Sequence, residues 1–124
     1  MSYFNITKKE NRIAVYNRFG GRCAYCGIEL DIDNFQVDHL RALKRGELNV
    51  DRDYSFDNCM PSCKQCNASK SSFTLEQWRK ELELKVARLN KYHSIYRICK
   101  SFNLVNESGN CVIFHFEIYN QQNG

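Results

Sequence analysis

The sequence predicts a small α+β domain stapled by a metal ion, and three of its features carry that prediction. Two stretches place apolar residues at helical spacing. A C-terminal stretch alternates apolar and polar residues as a half-buried strand does, and two Cys-x-x-Cys pairs lie before it. At 124 residues the chain has room for one modest core, so residues 1–124 are read as a single domain. Six glycines, one proline and 43% hydrophobic residues exclude collagen-like, low-complexity and disordered chains. A formal net charge of +4 permits a polyanionic partner without demanding one. The seven cysteines are the outlier, and an odd count leaves either one thiol over from a disulfide set or no disulfide set at all.

Taken in order, Thr7-Lys8-Lys9-Glu10 reads as a capping box, the Thr hydroxyl and the Glu carboxylate each meeting one orphan amide. Ile13, Tyr16 and Phe19 follow at helical spacing, and Gly20-Gly21 ends that N-terminal helix. The stretch from Arg22 to Lys70 is short-range and turn-rich. Thr74-Leu75-Glu76-Gln77 is a second capping box. Beyond it, to about Cys99, no Gly or Pro intervenes, and Leu75, Trp78, Leu82, Val86, Leu89, Tyr92 and Tyr96 keep one face apolar, which predicts one long amphipathic helix. Two strands, about 102–105 and 111–119, are expected to form a C-terminal β-hairpin around Glu107-Ser108-Gly109-Asn110, with 120–124 a frayed tail. No signal-peptide core opens the chain and no apolar run reaches about 18 residues, so a cytoplasmic, reducing location is expected. There, cysteines serve as metal ligands or free thiols more often than as disulfides.

Cys23-Ala-Tyr-Cys26 and Cys63-Lys-Gln-Cys66 form two knuckles. Thiolates at i and i+3 around a tight turn grip one tetrahedral cation, and a second knuckle completes the four ligands. The competing reading, a redox pair, needs only one Cys-x-x-Cys and a strand–helix setting that this region lacks. One structural Zn²⁺ per chain, held by Cys23, Cys26, Cys63 and Cys66, is therefore expected, and in so small a domain it would supply much of the folding energy. Cys59, Cys99 and Cys111 are left as thiols. Four thiolates subtract four charges and the ion adds two, which takes +4 to +2.

Between the knuckles stands Val37-Asp38-His39-Leu40, followed by Asp57-Asn58 and then Cys63-x-x-Cys66-Asn67-x-x-Lys70. This ordered set, with the lead-in from Arg18 to Gly27, resembles the HNH endonuclease family, the zinc-knuckle branch of the ββα-metal nucleases. The resemblance covers about residues 11–79, leaving the helix and hairpin, about 74–119, as an extension. It implies a ββα-metal, treble-clef-like core in which the strand bearing Asp38-His39 runs through a loop to a helix. It further implies that Asn67 returns as the second metal ligand and that Asn58 pins the loop and orients the histidine. Many members carry His where Asn67 stands, so this chain resembles an HNN variant. A proline commonly follows the Asp-His pair in the family, whereas here the segment is Leu40-Arg41-Ala42-Leu43-Lys44-Arg45-Gly46.

The chemistry can be argued beside the resemblance. An uncharged imidazole near its titration point, about pH 6.5, can take a proton from water, which suits His39 as general base. A carboxylate such as Asp38 suits a hard cation, Mg²⁺ or Mn²⁺. Arg41, Lys44 and Arg45 after the pair, and Lys70 after the second knuckle, are the candidates for meeting a phosphate backbone of DNA, RNA not being excluded. The expectation is a metal-dependent endonuclease that hydrolyses phosphodiester bonds, nicking one strand per site, in a phage or bacterial-defence setting. The alternatives are a catalytically inactive zinc-ribbon binder of nucleic acid and a zinc-stapled interaction module. The C-terminal extension serves either as an interface, to a second copy or a larger complex, or as a roof over the zinc module.

Overall fold

The computed structural model describes residues 4–43 and 53–123. In chain order it contains helix α1 (Lys9–Asn17), strand β1 (Gln36–His39), a 3₁₀ turn (Phe56–Asn58) and strand β2 (Cys59–Ser62). Helices α2 (Lys64–Lys70), α3 (Leu75–Glu83), α4 (Lys85–Tyr92), α5 (Ser94–Ser101) and α6 (His115–Asn123) follow. The described chain falls into two compact units, one of residues up to Leu75 together with those from Ile113 onward, the other Glu76–Val112.

In the first unit, β1 and β2 pair antiparallel, with Gln36 opposite Ser62, Asp38 opposite Met60 and His39 opposite Cys59. A two-stranded ribbon this short cannot hold itself together in water, so both faces are covered. On one side Val15 of α1, Phe35 and Cys59 form the core, with Phe4, Tyr16, Val37 and Phe56 packed around them. On the other side α2 lies against β1. The Arg22–Glu29 bridge and the Cys23 amide bonded to the Ile28 carbonyl (2.8 Å) close the first knuckle into a tight loop. Gly27 takes φ +81° there, a left-handed backbone that favours glycine, and the position packs against the His115 ring.

The α1 helix lies where periodicity placed it, but its cap differs. Lys8 is the N-cap and makes no side-chain cap bond, while the Thr7 amide and hydroxyl both bond the Asn5 side chain (2.9 and 2.6 Å). The Asn5 carboxamide wins because an Asx-type turn meets those donors two residues away.

Two larger expectations are corrected. The single long helix is three helices. At Leu84 the interruption is slight, since its amide still bonds Lys80 and its carbonyl still accepts from Arg88. At His93 it is complete, because the backbone there is extended (φ −120°, ψ 101°). Past that break α5 packs back on α4, and the Arg97 guanidinium bonds the Asn90 and Lys91 carbonyls at the open end (3.0 and 3.1 Å). The expected β-hairpin is absent among the described residues, and 115–123, including the supposed tail, is helical. Glu117 accepts from the Phe114 amide (2.9 Å), the acidic half of a capping box whose N-cap is Phe. The first-turn amides of His115 and Phe116 bond the Tyr25 and Ala24 carbonyls (3.0 and 2.7 Å). Those bonds fix α6 on the first knuckle, where Phe114 and Phe116 meet the Tyr25 ring edge-on.

Candidate functional site

The sulfur cluster is built by two local turns brought together by β2. The Ala24 amide bonds the Pro61 carbonyl (2.8 Å), which sets the first knuckle beside the end of β2. Cys63 then caps α2, its sulfur accepting from the Cys66 amide (3.4 Å), while the Cys63 amide points at the Cys23 sulfur (3.4 Å). The four sulfurs of Cys23, Cys26, Cys63 and Cys66 all lie within 4.8 Å of one another, and Cys26 and Cys63 are 3.8 Å apart. A tetrahedron with bonds of about 2.3 Å has edges of about 3.8 Å, so the donor set fits a thiolate-bound dication. The protonation pattern agrees. Hydrogen bonding from Cys66 brings the Cys23 thiol down to about 4, while that same bond and burial push Cys66 up. Burial also raises Cys26. Four thiolates cannot share that space without a cation between them. Cys59 stays out of the cluster, buried in the core with its thiol on the Ser55 carbonyl (3.4 Å).

The second centre is the end of β1. Alternation along the strand turns Gln36 and Asp38 toward α2 and sends Val37 into the core. Asn67 and Lys70, one helical turn apart on α2, meet them in matching order. The Asn67 amide lies 2.6 Å from the Gln36 side chain, and the Lys70 ammonium lies 3.2 Å from Asp38 Oδ2. Asp38 Oδ2 also accepts from the Tyr25 hydroxyl at 2.5 Å. Burial is the first cause that pushes the Tyr25 hydroxyl up, followed by the Asp38 charge, so the phenol remains a donor. His39 faces away from this pair, its ring 6.4 Å from that of Tyr54 in a T-shaped contact. Asp38 and His39 both border an open cleft of about 450 Å³, completed by Ala42, Leu43, Ser71 and Ser72. Ser71, at φ +48°, turns the chain off α2 at the cleft wall.

Asn58 is 1% exposed, and its amide group binds the strand-exit segment from both sides. Oδ1 accepts from the Arg41 amide (2.8 Å), and Nδ2 donates to the carbonyls of Arg41 and Asp53 (both 2.9 Å). Its own carbonyl accepts from the Leu40 amide (3.0 Å). The Arg41 side chain is ion-paired with Asp53. Lys44 and Arg45 lie outside the described residues. Lys70 differs from its expectation: it is wholly buried, bonded to Asp38 and to the His39 carbonyl (3.0 Å), and does not present its charge to a phosphate at the surface. The cause is the β1–α2 register, which lays Lys70 over Asp38. Sequence reading missed Tyr25 as a partner of Asp38, and no signal short of the fold marks it. No helix among the described residues is long and apolar enough to cross a membrane.

Three features thus meet in the first unit: a strand ending in Asp-His, a loop clasped by an asparagine and a helix launched from a four-cysteine cluster. Residues 23–73 match the model of the HNH endonuclease family, and in this stretch the chain is similar to that family. The chain is 34% identical over 64 residues to the SPbeta prophage-derived protein YoqL of Bacillus subtilis (strain 168), named as a proposed HNH endonuclease. That match takes in 48% of this chain and 27% of the relative, so it spans about a quarter of the relative's length. No solved structure matches the chain.

Proposed function

We propose that the chain is a metal-dependent endonuclease that hydrolyses phosphodiester bonds of DNA, cutting one strand per active site. The observation that carries this reading is the shared cleft of Asp38 and His39 beside a loop clasped by Asn58. A pure binding module has no use for an acid, an imidazole and a buried amide gathered at one strand end. His39, half-buried at the cleft, accepts the proton of the attacking water in its neutral form. Asn58 keeps the segment after His39 in register, which is a geometric role. Asp38 is the ligand for a hard divalent cation, with Asn67 joining it once its amide turns from Gln36. Such a cation, Mg²⁺ or Mn²⁺, would stabilise the charge that builds on the phosphoryl oxygens. The four cysteines hold a separate structural Zn²⁺. Arg41, Lys44 and Arg45 are the proposed phosphate contacts.

The test is relaxation of supercoiled plasmid in Mg²⁺ or Mn²⁺ by wild type and His39→Ala. Loss of a general base should slow nicking by about 10²- to 10⁴-fold while zinc content stays the same. Equal nicking by both proteins, or none by either in any divalent metal, rejects the enzyme in favour of an inactive zinc-ribbon binder.

A further inference from the structure

Among the described residues, Asp38 and Lys70 are the two buried charged side chains, and they bury against each other. Lys70 has no exposure at all, and its ammonium is shared between Asp38 Oδ2 and the His39 carbonyl. Withdrawing an ammonium from water is unfavourable unless partners compensate it, and a lysine that reached for phosphate would stay at the surface. Tyr25 adds its hydroxyl to the same oxygen. Oδ2 is thus doubly occupied, and Oδ1 takes no hydrogen bond among the described residues.

Both holders belong to the knuckles. Tyr25 sits between Cys23 and Cys26, and Lys70 ends the helix that Cys63 caps. Whatever orders the sulfur cluster therefore orders Asp38. The charge at the cleft follows from the same contacts. Asp38 and Lys70 cancel, Asn67 is neutral, and His39 must be neutral to act as a base. A dication approaching Asp38 meets a lone oxygen whose charge is already matched by an ammonium, so the protein alone offers it little attraction.

We propose that Lys70 and Tyr25 are positioning residues that hold Asp38 through Oδ2 and cancel its charge, so that the divalent cation enters the cleft only together with a nucleic-acid phosphate. The phosphate supplies the negative charge that Lys70 has taken away. The inference rests on the reading of the cleft as a metal-dependent phosphodiesterase site.

The experiment is a Mn²⁺ titration of the zinc-loaded full chain, read from the electron paramagnetic resonance signal of free Mn²⁺. His39→Ala protein keeps the DNA uncut, and binding is measured with and without a short duplex, the duplex alone being subtracted. Mn²⁺ should bind about tenfold or more tightly when the duplex is present. Lys70→Met should raise the affinity of the protein alone by about tenfold, and Tyr25→Phe by about threefold, at unchanged zinc content. Equal Mn²⁺ affinity with and without the duplex overturns the proposal. So does a folded, zinc-loaded Lys70→Met chain whose own affinity is unchanged. If Lys70→Met fails to fold, Tyr25→Phe decides by the same criterion. Hydrolysis is scored separately: coupled Mn²⁺ binding in a wild-type chain that nicks nothing rejects the nuclease reading alone, and nicking with uncoupled binding rejects this one alone.

Discussion

Arg18 lies one residue past α1 and turns its guanidinium inward. Nη1 donates to the carbonyls of Phe56, Asp57 and Cys59 (3.3, 2.9 and 2.7 Å), while the plane lies over the rings of Phe19 and Phe56. It thereby shapes the 3₁₀ turn that carries Asn58, two elements away from its own helix. Burial lowers its pKa from the ordinary arginine value, with Asp57 opposing, and the group remains charged at any working pH. Arg18→Met should destabilise the chain by about 2–3 kcal/mol, because part-buried carbonyls lose a charged donor. Arg18→Lys should recover less than half of that, since an ammonium can neither stack nor reach three carbonyls at once. Urea unfolding of the three proteins measures both, and a loss below about 0.5 kcal/mol for Arg18→Met would contradict this role. At this scale legibility divides by reach. Asp38-His39 and the knuckles stand out because their members are neighbours in the chain. The bonds of Arg18, Tyr25 and Lys70 to residues far along the chain left no local trace.

Among the elements, the Asp-His strand is implied by the family resemblance, and the N-terminal helix could be read from periodicity because its Val15 face meets the core. The region after Leu75 could not. Its apolar spacing is helical throughout, and nothing in that spacing marks His93 as the point where the backbone turns extended. In the same way Val112, Phe114, Phe116 and Ile118 alternate like a strand, but Phe114 and Phe116 are drawn to Tyr25, and the carbonyls of the first knuckle reward a helix start there. The start of the segment between α5 and α6 is held by the Glu107 carboxylate, as its end is by Glu83, which accepts from the Val112 amide (3.1 Å). Glu107 accepts from the Asn90 amide (2.9 Å) and the Tyr96 hydroxyl (2.8 Å), and its ion pair with Lys100 spans 3.1 Å. The Asn90 bond first, then those of Tyr96 and Lys100, hold Glu107 down to about 2. A carboxylate depressed in the folded state adds stability above its unfolded value, about 4.3, and loses that contribution as pH falls through the folded one. The tether should therefore hold at neutral pH and slacken between about pH 4 and 2. Heteronuclear NOE values for residues 103–110 should fall over that window in wild type. In Glu107→Gln they should already be lower at pH 6 and show no such step. A wild-type profile flat down to pH 2 would remove the tether.

At the scale of the molecule, the first unit has little to stand on besides the sulfur cluster. Its sheet is two strands of four residues, and its core centres on Val15, Phe35 and Cys59. The knuckle residues Cys23, Ala24 and Tyr25 are themselves among the most buried in the chain, so they are core as well as ligand frame. Removing the cation would leave four sulfurs within 4.8 Å of one another, with the Cys23 thiol held low by its bond from Cys66 while Cys66 and Cys26 are pushed up. The same loss would release α6, whose first turn bonds the knuckle carbonyls, and α2, whose N-cap is Cys63. The second unit contains none of the four cysteines, and within it Arg79 bonds the Val112 carbonyl (2.6 Å). Chelation should thus act unevenly. The purified chain should carry one zinc, and a strong chelator or Cys63→Ser should abolish near-ultraviolet circular dichroism from Tyr25, Phe114 and Phe116. Part of the far-ultraviolet helical signal should persist, from α4 and α5. Elemental analysis with both spectra, before and after zinc is added back, measures this. A chain that keeps its aromatic signal and melting temperature without zinc would show that apolar packing alone suffices, and the cysteines would then be ligands of convenience rather than the centre of the fold.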